Sequence, residues 1–270
     1  MSSPPNPLSD PGLLPPPEQP APIIEIPSEN PDWSGWDVLQ IVLLTLVSVF
    51  VFLPAVAFAA QRFLYPKAAF LQVVTYPLVT VAGQGVAYLF ILAFMVSIVK
   101  RDPSRDFWHA IRWNWPKHWS NFVLAGMALS FALQGIAHVL PMPKEIPMDR
   151  FFRTPSEAWA LSLFGITFAP LLEELFFRGF FYPVLARRFG IAIAVVVTAA
   201  SFGLIHAPQL GRAWGPVLVI FMVGLALTIA RAVTKSVASS LIMHVAYNAT
   251  LSILLFIGTD GFRHLERLNQ

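Results

Sequence analysis

With 270 residues, 56% of them hydrophobic and 12% charged, and a mean hydropathy of +0.63, the chain holds about half the charge of a water-soluble domain. A fold in water would leave large apolar surfaces exposed, so the bilayer is its natural solvent. The formal charge of +3 is spread without a basic stripe, which excludes a nucleic-acid surface, and the absence of cysteine excludes disulfides, Cys-ligated zinc, iron–sulfur clusters and thiol catalysis.

In chain order, residues 1–36 read as a disordered, Pro-rich acidic tail of polyproline II character, with no apolar h-region of a signal peptide. A docking segment for a proline-binding domain is its functional alternative. About seven apolar stretches then follow, each close to the 20 residues that cross a hydrocarbon core. They are Val38–Gln61, Ala68–Val99 with a kink expected at Pro77, Asn121–Leu140, Ala158–Ala186, Phe189–Ala207, Ala213–Ala230 and Val237–Gly258. The expected fold is all-α: a polytopic transmembrane helix bundle over residues 37–258, closed by a short polar tail at 259–270.

Tryptophans mark the borders. Trp33 and Trp36 precede the first span, Trp108, Trp113, Trp115 and Trp119 fill the loop before the third, and Trp159 and Trp214 open the fourth and sixth. An amphipathic indole suits the water–lipid boundary, so all are read as anchors, and the stretch Arg105–Trp119 as lying along the interface. The basic loop Lys100–Lys117 favours a cytoplasmic position for itself and for the N-terminus. Arg187, Arg188, Arg231 and Lys235 fall on that same face. The other face carries Arg62, Lys67, Lys144, Arg150 and Arg153, so the bias is slight.

Three ionisable residues sit inside the fourth span. Each costs about 2.5–3.5 kcal/mol at mid-bilayer, a liability that calls for a function or a partner. Glu174 and Arg178 are spaced i, i+4 and can pair on one helix face. Glu173 points about 100° away, which leaves it the freer carboxylate and the candidate general base for water. Pro170, one turn earlier, removes a backbone donor and can open polar backbone near the carboxylates. A Glu–Arg pair that merely locks two helices together is the plainer alternative.

Two more polar clusters weigh against it. The fifth span ends Phe202-x-x-x-His206, and the seventh carries His244-x-x-x-Asn248, whose two polar residues share a face. Histidine and asparagine supply what peptide hydrolysis needs beyond a base: a group to hold water or a metal, and a donor to an oxyanion. His138, with no motif around it, reads as a packing residue.

The ordered set Glu173-Glu174-x-x-x-Arg178, Phe202-x-x-x-His206 and His244-x-x-x-Asn248 resembles the CPBP family of intramembrane proteases. That family includes type II CAAX prenyl endopeptidases and bacteriocin-processing or immunity proteins. The resemblance covers about residues 158–255. It implies that Glu173 activates water, His206 positions it, and His244 with Asn248 polarises the substrate carbonyl, while Glu174 and Arg178 orient the first glutamate. A zinc ion on His206, His244 and Glu173 is one reading of such a site, and a metal-free glutamate–histidine site is the other. The implied partners are a peptide or protein substrate at the membrane and the lipid bilayer, and the implied location is the inner membrane of a bacterial cell.

Two competing functions use the same residues. One is a non-hydrolytic binding or immunity protein. The other is a proton-coupled transporter with a relay through Glu173, Glu174 and His206, although no internal repeat supports it.

Overall fold

The computed structural model of the chain describes residues 30–266, so most of the expected N-terminal tail and the last four residues lie outside the described part. Among the described residues every regular element is helical. In chain order the main ones are α1 (Gly35–Phe63), α2 (Pro77–Val99), α3 (Trp119–Ala137), α4 (Pro155–Phe189), α5 (Ile191–His206), α6 (Trp214–Thr234) and α7 (Val237–Gly258). Six of these are long and apolar enough to cross a membrane. The exception is α5. Its 16 residues span about 24 Å, less than the roughly 30 Å of hydrocarbon.

Local chemistry sets the boundaries. Ser34 and Asp37 form a reciprocal capping box that starts α1, and Thr154 with Glu157 does the same for α4. Both starts lie about three residues ahead of the apolar stretches. Ala68–Val99 is not one kinked span. Pro77 cannot donate to the preceding turn and instead opens α2 at its first position, after a separate short helix at Phe70–Val73. Between α4 and α5 the chain reverses at Gly190, whose φ of +80° suits a residue without Cβ.

α1 packs along α2, α3 along α7 and α5 along α6, and α4 runs between these pairs. Small residues permit the closest approaches: a methyl group added at Gly126 of α3 would lie 2.3 Å from the Met243 carbonyl oxygen of α7. From α4, Leu172, Leu175 and Phe180 enter a core with Ile41, Ile91 and Met95. Phe177, on another side, enters a second core with Leu133, Phe202, Leu227 and Tyr247.

The face holding the N-terminal segment also holds the loop after α2 and the turn between α6 and α7. Arg105 pairs with Asp32 at 2.8 Å, and Asn114 Nδ2 donates to the Lys235 carbonyl at 3.2 Å. On the opposite face the loops before α4 and after α5 meet, where Met148 N donates to the Gln209 carbonyl at 3.1 Å.

Trp36, Trp108, Trp115, Trp119, Trp159 and Trp214 are exposed at or near helix ends, as anchors should be, whereas Trp113 is half-buried against Trp108. Trp33 is not an anchor. It is 2% exposed, stacks on Phe180 at 4.4 Å and donates from Nε1 to the Phe180 carbonyl at 2.9 Å. Arg187 holds the same segment through the Pro31 and Trp33 carbonyls. The end of the expected tail is thus docked, because an indole and two carbonyls find partners there. The C-terminal side differs in the same way: Phe262 is buried against Trp159 and Phe256. His138 is the reverse case, exposed just past the end of α3.

Replacing Trp33 with Ala removes a buried indole and its hydrogen bond, and should cost about 3–5 kcal/mol. Thermal unfolding in detergent checks this. An unchanged midpoint would mean that the segment contributes nothing to the core.

Candidate active site

α4 is where the helix is least regular, and the irregularities have identifiable causes. The proline ring at 170 clashes with the carbonyl four residues back, at Ile166, and the first α-helical stretch of α4 ends there. The break falls at Thr167 (φ −114°, ψ −72°), nearly two turns ahead of the carboxylates. Backbone polarity freed by the break is satisfied across the bundle, since Asn248 Nδ2 of α7 donates to the Gly165 carbonyl at 2.6 Å. Past Glu174 the helix widens into a π-helical stretch, Leu175–Phe181, an arrangement frequent at functional sites.

Glu174 and Arg178 are both fully buried and paired at 2.8 Å, as their spacing predicts. Arg178 is held from α6 as well. Its Nη2 donates to the Gly224 carbonyl at 2.9 Å and its Nε to Thr228 Oγ1 at 3.3 Å. Its guanidinium lies 4.7 Å from the centre of the Phe202 ring. Glu174 also accepts from His244 Nδ1 at 2.8 Å, so the ion pair reaches α7.

Glu173 points elsewhere. It is half-buried, and its carboxylate faces the two histidines, at 3.9 Å from His206 Nε2 and 3.8 Å from His244 Nε2. These gaps exceed a direct hydrogen bond and suit a bridging water. Both rings are oriented from behind. His206 Nδ1 lies 2.7 Å from the Phe202 carbonyl and His244 Nδ1 lies 2.8 Å from Glu174. A carbonyl and a carboxylate can only accept, so each Nδ1 carries a proton and each Nε2 is turned to Glu173. The Phe202 ring packs on both imidazoles.

These six residues border one cavity or stand directly behind it. Glu173, His206, His244 and Asn248 line a space of about 500 Å³, which extends to Pro147 and Met148 in the loop before α4 and to Gln209 after α5. A smaller apolar cavity of about 260 Å³, bordered by Ile41, Leu46, Met95 and Phe176, reaches Glu173 from the side of α1.

Zinc fits this arrangement in donor chemistry and not in spacing. The imidazoles have the backing hydrogen bonds that zinc-bound histidines carry. Bonds of about 2.0–2.1 Å at tetrahedral angles, however, place neighbouring donor atoms about 3.3 Å apart, closer than the gaps of 3.8 and 3.9 Å found here. Among the described residues no group of three His, Asp or Glu side chains is set to hold a metal.

Residues 155–250 match the model of a family described as type II CAAX prenyl endopeptidase Rce1-like. Over these residues, about a third of its length, the chain is similar to the CPBP family. No curated protein and no solved structure matches the chain. That family is usually one of proteases, and with six helices among the described residues long and apolar enough to cross a membrane, the chain is a multi-pass integral membrane protein.

Several residues around the CPBP motifs escaped the sequence reading. Gly224 and Thr228 hold Arg178, and Arg231, taken for a residue of the membrane face, is buried with its Nε donating to the Arg178 carbonyl at 3.2 Å. A glycine and a threonine in an apolar helix carry no signal of their own. Arg231 did carry one, as a charge at the end of a span.

Proposed function

We infer that the protein is an intramembrane endopeptidase, acting in the inner membrane of a bacterial cell, that hydrolyses a peptide bond of a membrane-associated substrate with water activated by Glu173. The observation that carries this reading is the convergence of one unpaired-face carboxylate and two oriented imidazoles, from three helices, on a cavity large enough for a peptide segment.

Each residue has a role in this chemistry. Glu173 takes one proton of a water held between it and His206, whose Nε2 lone pair accepts the other hydrogen. The oxygen attacks the substrate carbonyl carbon, and the C–O π pair moves to the carbonyl oxygen. His244, with its charge balanced by Glu174 when both nitrogens are protonated, donates from Nε2 to that oxyanion. On collapse of the tetrahedral species, Glu173 returns its proton to the departing amine. Arg178 keeps Glu174 ionised in its place, and Asn248 fixes α4 to α7 and offers its second N–H to the cavity. No step is routed through a metal.

The test is cleavage of quenched-fluorescence peptides, both farnesylated CAAX-type and unmodified apolar ones, by wild type and His206→Ala in detergent, with and without a chelator. The expected result is a loss of about 10²-fold or more for His206→Ala and no effect of the chelator. Cleavage abolished by the chelator and restored by zinc would assign the water to a metal instead.

A further inference from the structure

The two cavities at Glu173 share one other lining residue, Tyr88 of α2. It therefore borders both spaces together with the carboxylate, and it comes from a helix outside the segment that matches the family model. Its side chain is held by design of the surrounding packing. The ring lies against Phe164 at 5.9 Å and Phe168 at 6.2 Å, both on α4 on either side of the Thr167 break. Its Oη accepts from Gln84 Nε2, one turn earlier on α2, at 2.7 Å. Gln84 also lines the larger cavity.

A phenol that accepts from an amide keeps its own hydrogen to donate. Tyr88 lines both cavities together with Glu173. Donors to an oxyanion are also few in this site. Asn248 has committed one N–H to the Gly165 carbonyl, and His206 serves as a water acceptor in the reading above. Only His244 and the second N–H of Asn248 would otherwise meet an oxyanion.

We propose that Tyr88 is a further catalytic residue: its O–H, steered by Gln84, donates a hydrogen bond to the substrate carbonyl oxygen as negative charge develops there. The proposal rests on the endopeptidase reading. No proton is transferred from the phenol, so the balance of the hydrolysis is unchanged. Because the donor acts on charge that appears in the transition state, its removal should lower kcat and leave KM nearly as it was.

The experiment compares wild type, Tyr88→Phe, Gln84→Met and Glu173→Gln on whichever farnesylated or unmodified peptide wild type cleaves fastest, with size-exclusion and unfolding profiles as controls. Tyr88→Phe retains the ring and its packing, so a purely structural role predicts full activity. The expected result is a kcat about 10²-fold lower with KM within about threefold, the effect of losing one oxyanion donor. Gln84→Met, which keeps the hydroxyl and loses its anchor, should show a smaller fall in kcat. If Tyr88→Phe does not fold, Gln84→Met carries the test by the same split between kcat and KM. Full kcat in the folded variants, beside an inactive Glu173→Gln, overturns the role of Tyr88 and leaves the endopeptidase reading standing. An inert wild type, or a fully active Glu173→Gln, overturns the endopeptidase reading and the proposal with it.

Discussion

Glu173→Gln should abolish cleavage while the protein remains folded and becomes no less stable. The amide has nearly the volume of the carboxylate, so its placement beside the two imidazoles is retained. What is lost is the ability to take a proton from water, which general-base catalysis values at about 10²–10⁴ in rate. Stability should hold or rise because a half-buried carboxylate is costly in a low-dielectric site, and among the described residues its ion-pair partners are the two Nε2 atoms at 3.8 and 3.9 Å. Rates on the peptide probes and unfolding midpoints of the same preparations check both halves. Activity within tenfold of wild type would remove Glu173 from the base role.

Arg178→Met should do the opposite, damaging the fold first. Arg178 and Glu174 are both 0% exposed, and the guanidinium bonds α4 to Gly224 and Thr228 of α6. Without it, Glu174 keeps His244 and no guanidinium, and a buried carboxylate stripped of its counter-ion costs about 3–5 kcal/mol. The variant should unfold at lower temperature and accumulate poorly in membranes. Adding Glu174→Gln removes the uncompensated charge, so the double variant should recover much of the stability. It should not recover activity, because His244 has then lost the carboxylate that fixes its ring. Arg178→Met with an unchanged unfolding midpoint would show that the pair is dispensable to the fold.

How much of this was legible in the sequence varies by residue. Apolar length alone located every spanning helix, since lipid admits few other solutions. Ends were read less well because caps, not hydropathy, decide them: Ser34 with Asp37 and Thr154 with Glu157 each extend a helix past its apolar run. Periodicity correctly placed Glu174 with Arg178 and turned Glu173 away from that pair. The consequence of Pro170 was legible in kind, but its break at Thr167 depends on which carbonyl the ring meets. Asn248 shares a helix face with His244 as its spacing required, yet its bond to Gly165 is a contact between helices that no local pattern encodes. Trp33 was misread for the same reason. An indole at the start of a span has the same sequence signature whether it faces lipid or, as here, Phe180. Tyr88 and Gln84 lie on a helix with no Asp, Glu, Lys, Arg or His to draw notice, and what singles out Tyr88 is that it lines both cavities.

The central claim is that this membrane cavity hydrolyses peptide bonds with water activated by Glu173. It is tested most directly by incubating folded wild type with the farnesylated and unmodified peptides in water enriched in heavy oxygen, beside Glu173→Gln, and weighing the products. The account predicts paired fragments from wild type, with one heavy oxygen in the new C-terminal carboxylate, and intact peptide from Glu173→Gln. Folded wild type that binds the peptides and releases no fragments would contradict it and leave a binding protein built on a protease scaffold.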